Sequence, residues 1–325
     1  MKLVTFSVKQ YHPLTHRIGL INSKGNVTDA AAAYRSWLLS EKKCEESTAR
    51  KLTDALLPGD MTLFLQGGDI SMDALKQAAS YAESLGVQVA AGEKLWYQTD
   101  EITLHAPLFR PSSIRDFLSF EEHLKNSLGR VPPVWYEIPI YYKGIPASVI
   151  GPDEECIWPD YSEIMDYELE FACVIGKRGK DIPASEAHKY IAGYMIFNDF
   201  SARDKQFAEM EGKLGPAKGK DFCTAIGPYL VTPDEIPDVY NMPMRARVNG
   251  ELWSEGNSNT MYRTFAEIIE YASTFETLLP GDILGSGTVG NGCGLELKKY
   301  LKEGDVIELE IEPLGVLRNR IVRKR

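Results

Sequence analysis

Two glutamates, Glu168 and Glu170, stand two positions apart in an otherwise apolar stretch of the chain. In a β-strand, side chains two positions apart project to the same face, so the two carboxylates are expected side by side. Burying such a pair is costly unless a cation compensates the charges. The pattern therefore indicates either a pair of metal ligands or the solvated face of an edge strand.

Two aspartates are candidates to join this pair. Asp199 lies at the predicted end of a strand, and Asp116 stands just before an apparent helix. Each could instead cap the helix that follows it. If all four carboxylates bind a metal, the ligands are hard oxygen atoms without cysteine or paired histidine. Such a set favours Mg²⁺, Mn²⁺ or Ca²⁺ over zinc.

His123 is the histidine whose position best suits catalysis, among five histidines in the chain. It follows Asp116 by seven residues. If this segment is helical, seven residues make two turns and both side chains share one face. The alternative for His123 is an ordinary surface or core histidine.

Together, these residues resemble the fumarylacetoacetate hydrolase superfamily, over about residues 104 to 312. The matching residues, in chain order, are Asp116 and His123, Glu168 and Glu170, Asn198-Asp199, Ser201-Ala202-Arg203-Asp204, Gln206, Gly219-Lys220-Asp221-Phe222, Thr224, Gly227-Pro228, Gly285-Ser286-Gly287-Thr288 and Leu295-Glu296-Leu297. Any single match is weak, but this many in one order is a strong signal.

The resemblance implies a role for each site residue. The metal ligands would be Asp116, Glu168, Glu170 and Asp199. His123 would be the general base, oriented by Glu296, and Lys220 would be the third catalytic residue, stabilising a developing oxyanion together with Gln206. Substrate contacts are implied for Gln206, Tyr142, Thr288 and Arg203. The resemblance further implies a homodimer.

The function implied is that of a divalent-metal-dependent hydrolase, which cleaves a carbon–carbon bond in a 1,3-diketo acid during aromatic or related carbon catabolism. A metal can stabilise the enolate that leaves, while His123 activates water. Decarboxylation, isomerisation or hydration of a 2-oxo acid on the same fold is the alternative. A non-catalytic metal-binding protein would not need His123 and Glu296.

Two positions depart from fumarylacetoacetase itself. Leu118 stands where that enzyme has a tyrosine, and Pro132 stands where it has a substrate-binding arginine; Arg130 is only nearby. We therefore expect an acylpyruvate-like substrate with an uncharged acyl group rather than fumarylacetoacetate.

The elements that must position these residues indicate an α+β fold. We predict a small N-terminal α/β domain over residues 1–104. A catalytic domain over residues 105–325 would be a mostly β mixed-sheet roll, because its strands are short and prolines cluster in it. Predicted strands cover 2–8, 17–21, 87–91, 167–175, 194–199, 229–232, 244–248 and 306–311. Predicted helices cover 30–39, 47–57, 72–85 (capped by Ser71), 185–190, 200–209 and 264–274.

Composition narrows the functional class further. With a net charge of −10, the chain is not expected to bind nucleic acid. No apolar run approaches the roughly 18 residues that span a bilayer, so no membrane partner is expected. Five scattered cysteines without a CxxC pair favour a reduced, cytoplasmic protein.

Overall fold

The computed structural model describes residues 1–12 and 15–323. Its strands are β1 (Lys2–Val8), β2 (Arg17–Ile21), β3 (Val27–Asp29), β4 (Val89–Ala90), β5 (Glu93–Lys94), β6 (Trp96–Tyr97), β7 (Ile102–His105), β8 (Ser113–Phe117), β9 (Tyr141–Gly144), β10 (Val149–Ile150), β11 (Glu155–Ile157), β12 (Met165–Asp166), β13 (Leu169–Ile175), β14 (Gly179–Lys180), β15 (Ile191–Asp199), β16 (Ser201–Ala202), β17 (Thr224–Val231), β18 (Pro243–Val248), β19 (Glu251–Asn257), β20 (Thr277–Leu278), β21 (Asp282–Gly285), β22 (Val306–Ile311) and β23 (Gly315–Val322).

The α-helices are α1 (Ala30–Ser40), α2 (Glu46–Leu56), α3 (Met61–Gln66), α4 (Gly68–Leu85), α5 (Glu121–Leu128), α6 (Pro133–Glu137), α7 (Arg203–Glu211), α8 (Phe265–Ser273) and α9 (Gly294–Leu297). Short 3₁₀ turns cover Thr99–Glu101, Pro146–Ser148, Ala184–Tyr190, Pro233–Glu235 and Ser258–Thr260. In the part of the chain that the structure describes, no helix has the length and apolar character needed to cross a membrane.

A large mixed sheet of 12 strands forms the centre of the fold, in the order β6-β3-β2-β1-β17-β15-β13-β21-β8-β9, with β10 and β7 paired to β17 and β1. All seven residues of β13 are buried, as expected for an apolar central strand covered on both faces. Since β1 pairs with β17, the sheet continues across the predicted boundary at residue 104.

A second sheet of five strands, β11-β23-β22-β18-β19, packs near the central sheet. The largest apolar cluster joins the two sheets, with Phe171 and Ile196 from the first sheet and Met244 and Leu309 from the second. A separate cluster packs α1 and α4 onto the other face of the central sheet. This mixed arrangement of helices and sheets confirms the predicted α+β class.

Most predicted elements are present, with shifted ends. The predictions over 2–8, 17–21 and 306–311 match strands residue for residue, and Thr264 caps α8 through a capping box with Glu267. The prediction that Ser71 begins a helix is wrong: α4 begins at Gly68, and Ser71 lies inside it. The buried strand predicted over 87–91 is also wrong, since Val87 and Val89 are 46% and 59% exposed and only Val89–Ala90 pairs.

Candidate functional site

Four buried carboxylates, those of Asp116, Glu168, Glu170 and Asp199, meet at one place in the central sheet. One ligand atom from each lies within 4.8 Å of the others. None is more than 6% exposed, so the solvated-face alternative for the two glutamates is wrong. The predicted convergence of the four carboxylates is confirmed.

Neighbouring strands explain how distant residues converge. Asp116 lies on β8, Glu170 on β13 and Asp199 at the end of β15, and the sheet order β15-β13-β21-β8 brings these strands together. Gly285 on β21 pairs with Asp116, and a Cβ atom at Gly285 would lie 2.3 Å from Asp116 Oδ1. The glycine is therefore required for the carboxylate to reach the cluster.

The helical relation predicted between Asp116 and His123 is wrong. Asp116 belongs to a strand, and His123 belongs to α5, which is separated from β8 by three residues and is terminated by Gly129 in the left-handed conformation. Neither aspartate caps a helix: the N-cap positions of α5 and α7 are Phe120 and Ala202. Both Asp116 and His123 nevertheless line the same cleft, the first from β8 and the second from α5.

The negative charges of the four carboxylates are not fully compensated by hydrogen-bond donors or cations. Asp116 Oδ1, Glu170 Oε2 and Asp199 Oδ1 are buried and make no hydrogen bond within the described chain. Burial, together with the neighbouring carboxylates, raises the pKa of Asp116 and of Glu170 well above the ordinary value. Burial also raises the pKa of Asp199, although Lys220 opposes the shift. Unpaired buried carboxylate oxygens are groups that a hard cation would satisfy.

Two buried cations offset part of the negative charge. Lys220 Nζ lies 2.5 Å from both Glu168 Oε2 and Asp199 Oδ2, and an Arg203 nitrogen lies 2.8 Å from Glu168 Oε1. Burial alone would raise the pKa of Glu168, but Lys220 and Arg203 hold it below its usual range. With all four carboxylates ionised, as they would be around a cation, Lys220 and an Arg203 shared with Asp166 leave an excess of at least two negative charges. A divalent cation fits both this excess and the all-oxygen donor set.

His123 is oriented by Glu296, as the resemblance implied. Its Nδ1 lies 2.6 Å from Glu296 Oε1, so the ring donates from Nδ1 to the carboxylate and presents Nε2 as the other ring nitrogen. Glu296 Oε2 accepts from Asn126 Nδ2 at 2.9 Å and from the Asn291 amide at 2.7 Å. Burial would raise the pKa of Glu296, but these hydrogen bonds and His123 lower it, so the carboxylate remains charged.

Nine of the eleven predicted site residues line one cleft of about 220 Å³. The other two, Asp199 and Glu296, contact the lining residues Lys220 and His123. Thr288 donates to Glu170 Oε1 at 3.1 Å, and Gln206 Oε1 accepts from Arg203 at 2.9 Å. The ring of Tyr142 lies 5.9 Å from Lys220 Nζ. The structure thus brings all eleven residues together, while their individual roles stay predictions.

The cleft has an apolar wall, made of Leu118, Leu124, Leu128, Phe207 and Met210. The last three are 46%, 38% and 41% exposed, which is high for large apolar side chains. Pro132, Arg130 and Lys143 are not among the lining residues, and both basic side chains are exposed.

Several residues at the site carried no prediction. Asp166 is buried beside Arg203, Asn126 supports Glu296, and Asn198 Oδ1 accepts from the Glu168 amide at 3.1 Å. Asp166 could have been found from its spacing, because Asp166, Glu168 and Glu170 alternate along the chain. No comparable signal marks Asn126, whose partner is 170 residues away.

Comparisons with known proteins show what the whole chain is similar to. Residues 112–322 match the family described as Fumarylacetoacetate (FAA) hydrolase C-terminal. The human protein named oxaloacetate tautomerase FAHD2A, mitochondrial, is 34% identical over 271 residues, which cover 83% of this chain and 82% of that protein. The structure of a fumarylacetoacetate hydrolase from Exiguobacterium antarcticum is 25% identical, with a TM-score of 0.72 and full coverage of both chains.

A more distant neighbour is similar in fold alone. It is a maleylpyruvate hydrolase from Sphingobium, described in complex with manganese (II) ion and pyruvate. The two chains are 19% identical with a TM-score of 0.70, and the likeness covers all of both.

Proposed function

The chain belongs to the fumarylacetoacetate hydrolase superfamily, and from this premise we propose that it is a divalent-cation-dependent keto–enol tautomerase of a 2-oxo acid. One observation carries the proposal. Four buried carboxylates with unsatisfied oxygens share a cleft with a histidine whose ring is fixed by a charged glutamate. The named activity of the human relative supports tautomerisation as the reaction.

Asp116, Glu168, Glu170 and Asp199 would hold Mg²⁺ or Mn²⁺. When bound, the cation supplies Lewis-acid stabilisation of the negative charge that develops on the substrate oxygens. His123 Nε2 removes a proton from the carbon next to the keto group, and a proton is returned to the keto oxygen. Glu296 stabilises the imidazolium that this transfer creates. Lys220 balances the charge of Glu168 and Asp199.

Carbon–carbon hydrolysis of a 1,3-diketo acid is the second candidate. It is favoured by Gln206, because the bond from Arg203 fixes its Oε1 and leaves its amide N–H groups for a developing oxyanion. In that reaction His123 would activate water instead of removing a proton from carbon. Lys220 is less available as an oxyanion donor, since two carboxylates already engage its ammonium group.

The test is an assay of the Mg²⁺- or Mn²⁺-loaded protein against oxaloacetate and a series of acylpyruvates, with products identified by NMR. Tautomerisation without chain cleavage is the expected result. Release of two acids from an acylpyruvate would establish hydrolysis instead. Absence of either reaction across the panel, in protein shown to contain the metal, would refute both candidates.

Among long substrates, we expect the enzyme to prefer those whose distal end is uncharged. Arg203 and Lys220 are the only arginine or lysine residues among the described lining residues, and both are engaged by carboxylates. A charge-assisted hydrogen bond contributes about 1.5 to 3 kcal/mol, so its absence predicts about tenfold to a hundredfold weaker selection for a distal carboxylate. We expect kcat/KM for a monocarboxylate diketone to exceed that for fumarylacetoacetate.

Leu118→Arg is the matching gain-of-function variant. The guanidinium would enter the apolar wall and should raise the relative kcat/KM for fumarylacetoacetate at least tenfold. Leu252→Arg, on β19 of the other sheet, is the control and should leave the ratio unchanged. A wild-type preference for the dicarboxylate would contradict this account of the cleft.

We also propose a homodimer in a reducing compartment such as the cytoplasm. The family resemblance supports the dimer, and the five free cysteines, four of them buried, support the compartment. Size-exclusion chromatography with light scattering tests the dimer directly.

A further inference from the structure

The carboxylate of Asp166 lies between the two parts of the candidate site, the cluster of four carboxylates and the pair formed by His123 and Glu296. It is fully buried, on β12 two residues before Glu168. Its Oδ2 accepts from Arg203 Nε at 2.7 Å and from the Leu295 amide at 2.9 Å. Its Oδ1 accepts from the amides of Gly294, at 2.7 Å, and Tyr167, at 2.9 Å. Four donors thus converge on one side chain.

On one side, Asp166 is connected through Arg203 to the four carboxylates, which we call the acidic cluster. The guanidinium that Asp166 holds also pairs with Glu168 Oε1 at 2.8 Å and donates to Gln206 Oε1 at 2.9 Å. A guanidinium bound at two edges has little freedom to rotate. Glu168 is held by Lys220 as well, so the acidic cluster is a fixed support to which Arg203 connects Asp166.

On the other side, the contact reaches the histidine. Gly294 and Leu295 begin α9, the single turn that carries Glu296. A Cβ atom at Gly294 would lie 2.5 Å from Asp166 Oδ1 and 1.9 Å from the Lys299 carbonyl oxygen, so the turn packs directly against the carboxylate. Its position sets where Glu296 meets His123 Nδ1.

We propose that Asp166 is a positioning residue that fixes Glu296, and through it His123, relative to the acidic cluster. If Asp166 served only to neutralise the positive charge of Arg203, it would need no contact with the backbone, and Glu168 already offsets part of that charge. The two amide contacts and the close packing at Gly294 instead assign a geometric role. The kinetic part of this proposal rests on the proposed function.

Amide exchange tests the geometric role without any assay of activity. In Asp166→Asn one acceptor oxygen becomes an NH₂ group, which must face an amide or the guanidinium and break at least one pair. We expect amides in residues 290–300 to exchange at least tenfold faster, while β22 remains as in the wild type. Unchanged exchange at 290–300 would overturn the proposal. If this variant does not fold, Gly294→Ala displaces the same turn without changing any charge and should give the same result.

A double-mutant cycle tests the kinetic role. Misplacing a catalytic group by about 1 Å can cost about 10²-fold in rate. We expect Asp166→Asn to lower kcat by about that factor, with KM and Mn²⁺ affinity changed less than threefold. In a Glu296→Gln background the same substitution should lower kcat less than threefold further.

The outcomes of this cycle separate the two proposals. Independent, multiplicative effects, or a parallel loss of Mn²⁺ affinity, would overturn the positioning role. If the wild type turned over no 2-oxo acid, the proposed function would fail, yet the exchange result would still decide whether Asp166 holds the turn.

Discussion

Removing the divalent cation with a chelator should abolish turnover, and Mg²⁺ or Mn²⁺ should restore it. The reason lies in Asp116, Glu170 and Asp199, each of which has a buried carboxylate oxygen without a hydrogen-bond partner in the described chain. Without a cation these groups repel one another and the developing charge on the substrate has no Lewis acid. The measurement is the initial rate before and after dialysis against chelator, with metal content determined in the same samples. Full turnover by metal-free protein would contradict the proposed centre.

Thermal unfolding should also depend on the divalent cation, and this test needs no measurement of activity. Mn²⁺ at a hundred times its Kd adds about 2.7 kcal/mol of stability, so the wild-type Tm should rise on addition. Glu170→Gln should weaken this rise, yet the metal-free variant should melt above the metal-free wild type, because the amide removes the cost of burying the Glu170 carboxyl group beside the other carboxylates, the cost that raises its pKa. A metal-free variant that melts below the wild type would indicate that Glu170 stabilises the fold by another route.

The parts of the fold that could be predicted are those for which a local sequence pattern is enough to identify the element. β13 is predicted from its run of apolar residues and α8 from the helical pattern over 264–274, since such signals depend on neighbours in the chain. The exposed segment around Val89 was wrongly predicted as a buried strand, because a short apolar run does not reveal whether anything covers it. The pairing of β1 with β17 is set by contacts between residues far apart in the chain, such as Leu3 with Leu230, which no local pattern indicates.

The candidate site was recognised through residue types rather than through correct local geometry. The two-turn helical relation between Asp116 and His123 is wrong, because Asp116 lies on β8 and only His123 lies on α5, yet both line the cleft. Alternation did place Glu168 and Glu170 together. The network that holds Glu296 was not predictable in this way, because Asn126 and Asp166 act across segments that the sequence separates by more than 120 residues.

Replacing His123 with alanine should lower kcat by about 10² to 10⁴-fold, the usual contribution of a general acid–base group. Its Nδ1 is committed to Glu296, which fixes the tautomer and leaves Nε2 to exchange protons in the cleft. Mn²⁺ affinity, measured by calorimetry, should remain within threefold, because the carboxylates that would bind the ion are unchanged. Glu296→Gln should impair the same step to a smaller degree, since the imidazolium loses its charged partner while the ring remains. His188→Ala is the matched control, because that histidine is exposed on a 3₁₀ turn, and its kcat should equal that of the wild type. Wild-type rates in both His123→Ala and Glu296→Gln would assign the proton transfer to another group, whereas loss of Mn²⁺ affinity in His123→Ala would make the histidine part of the metal site.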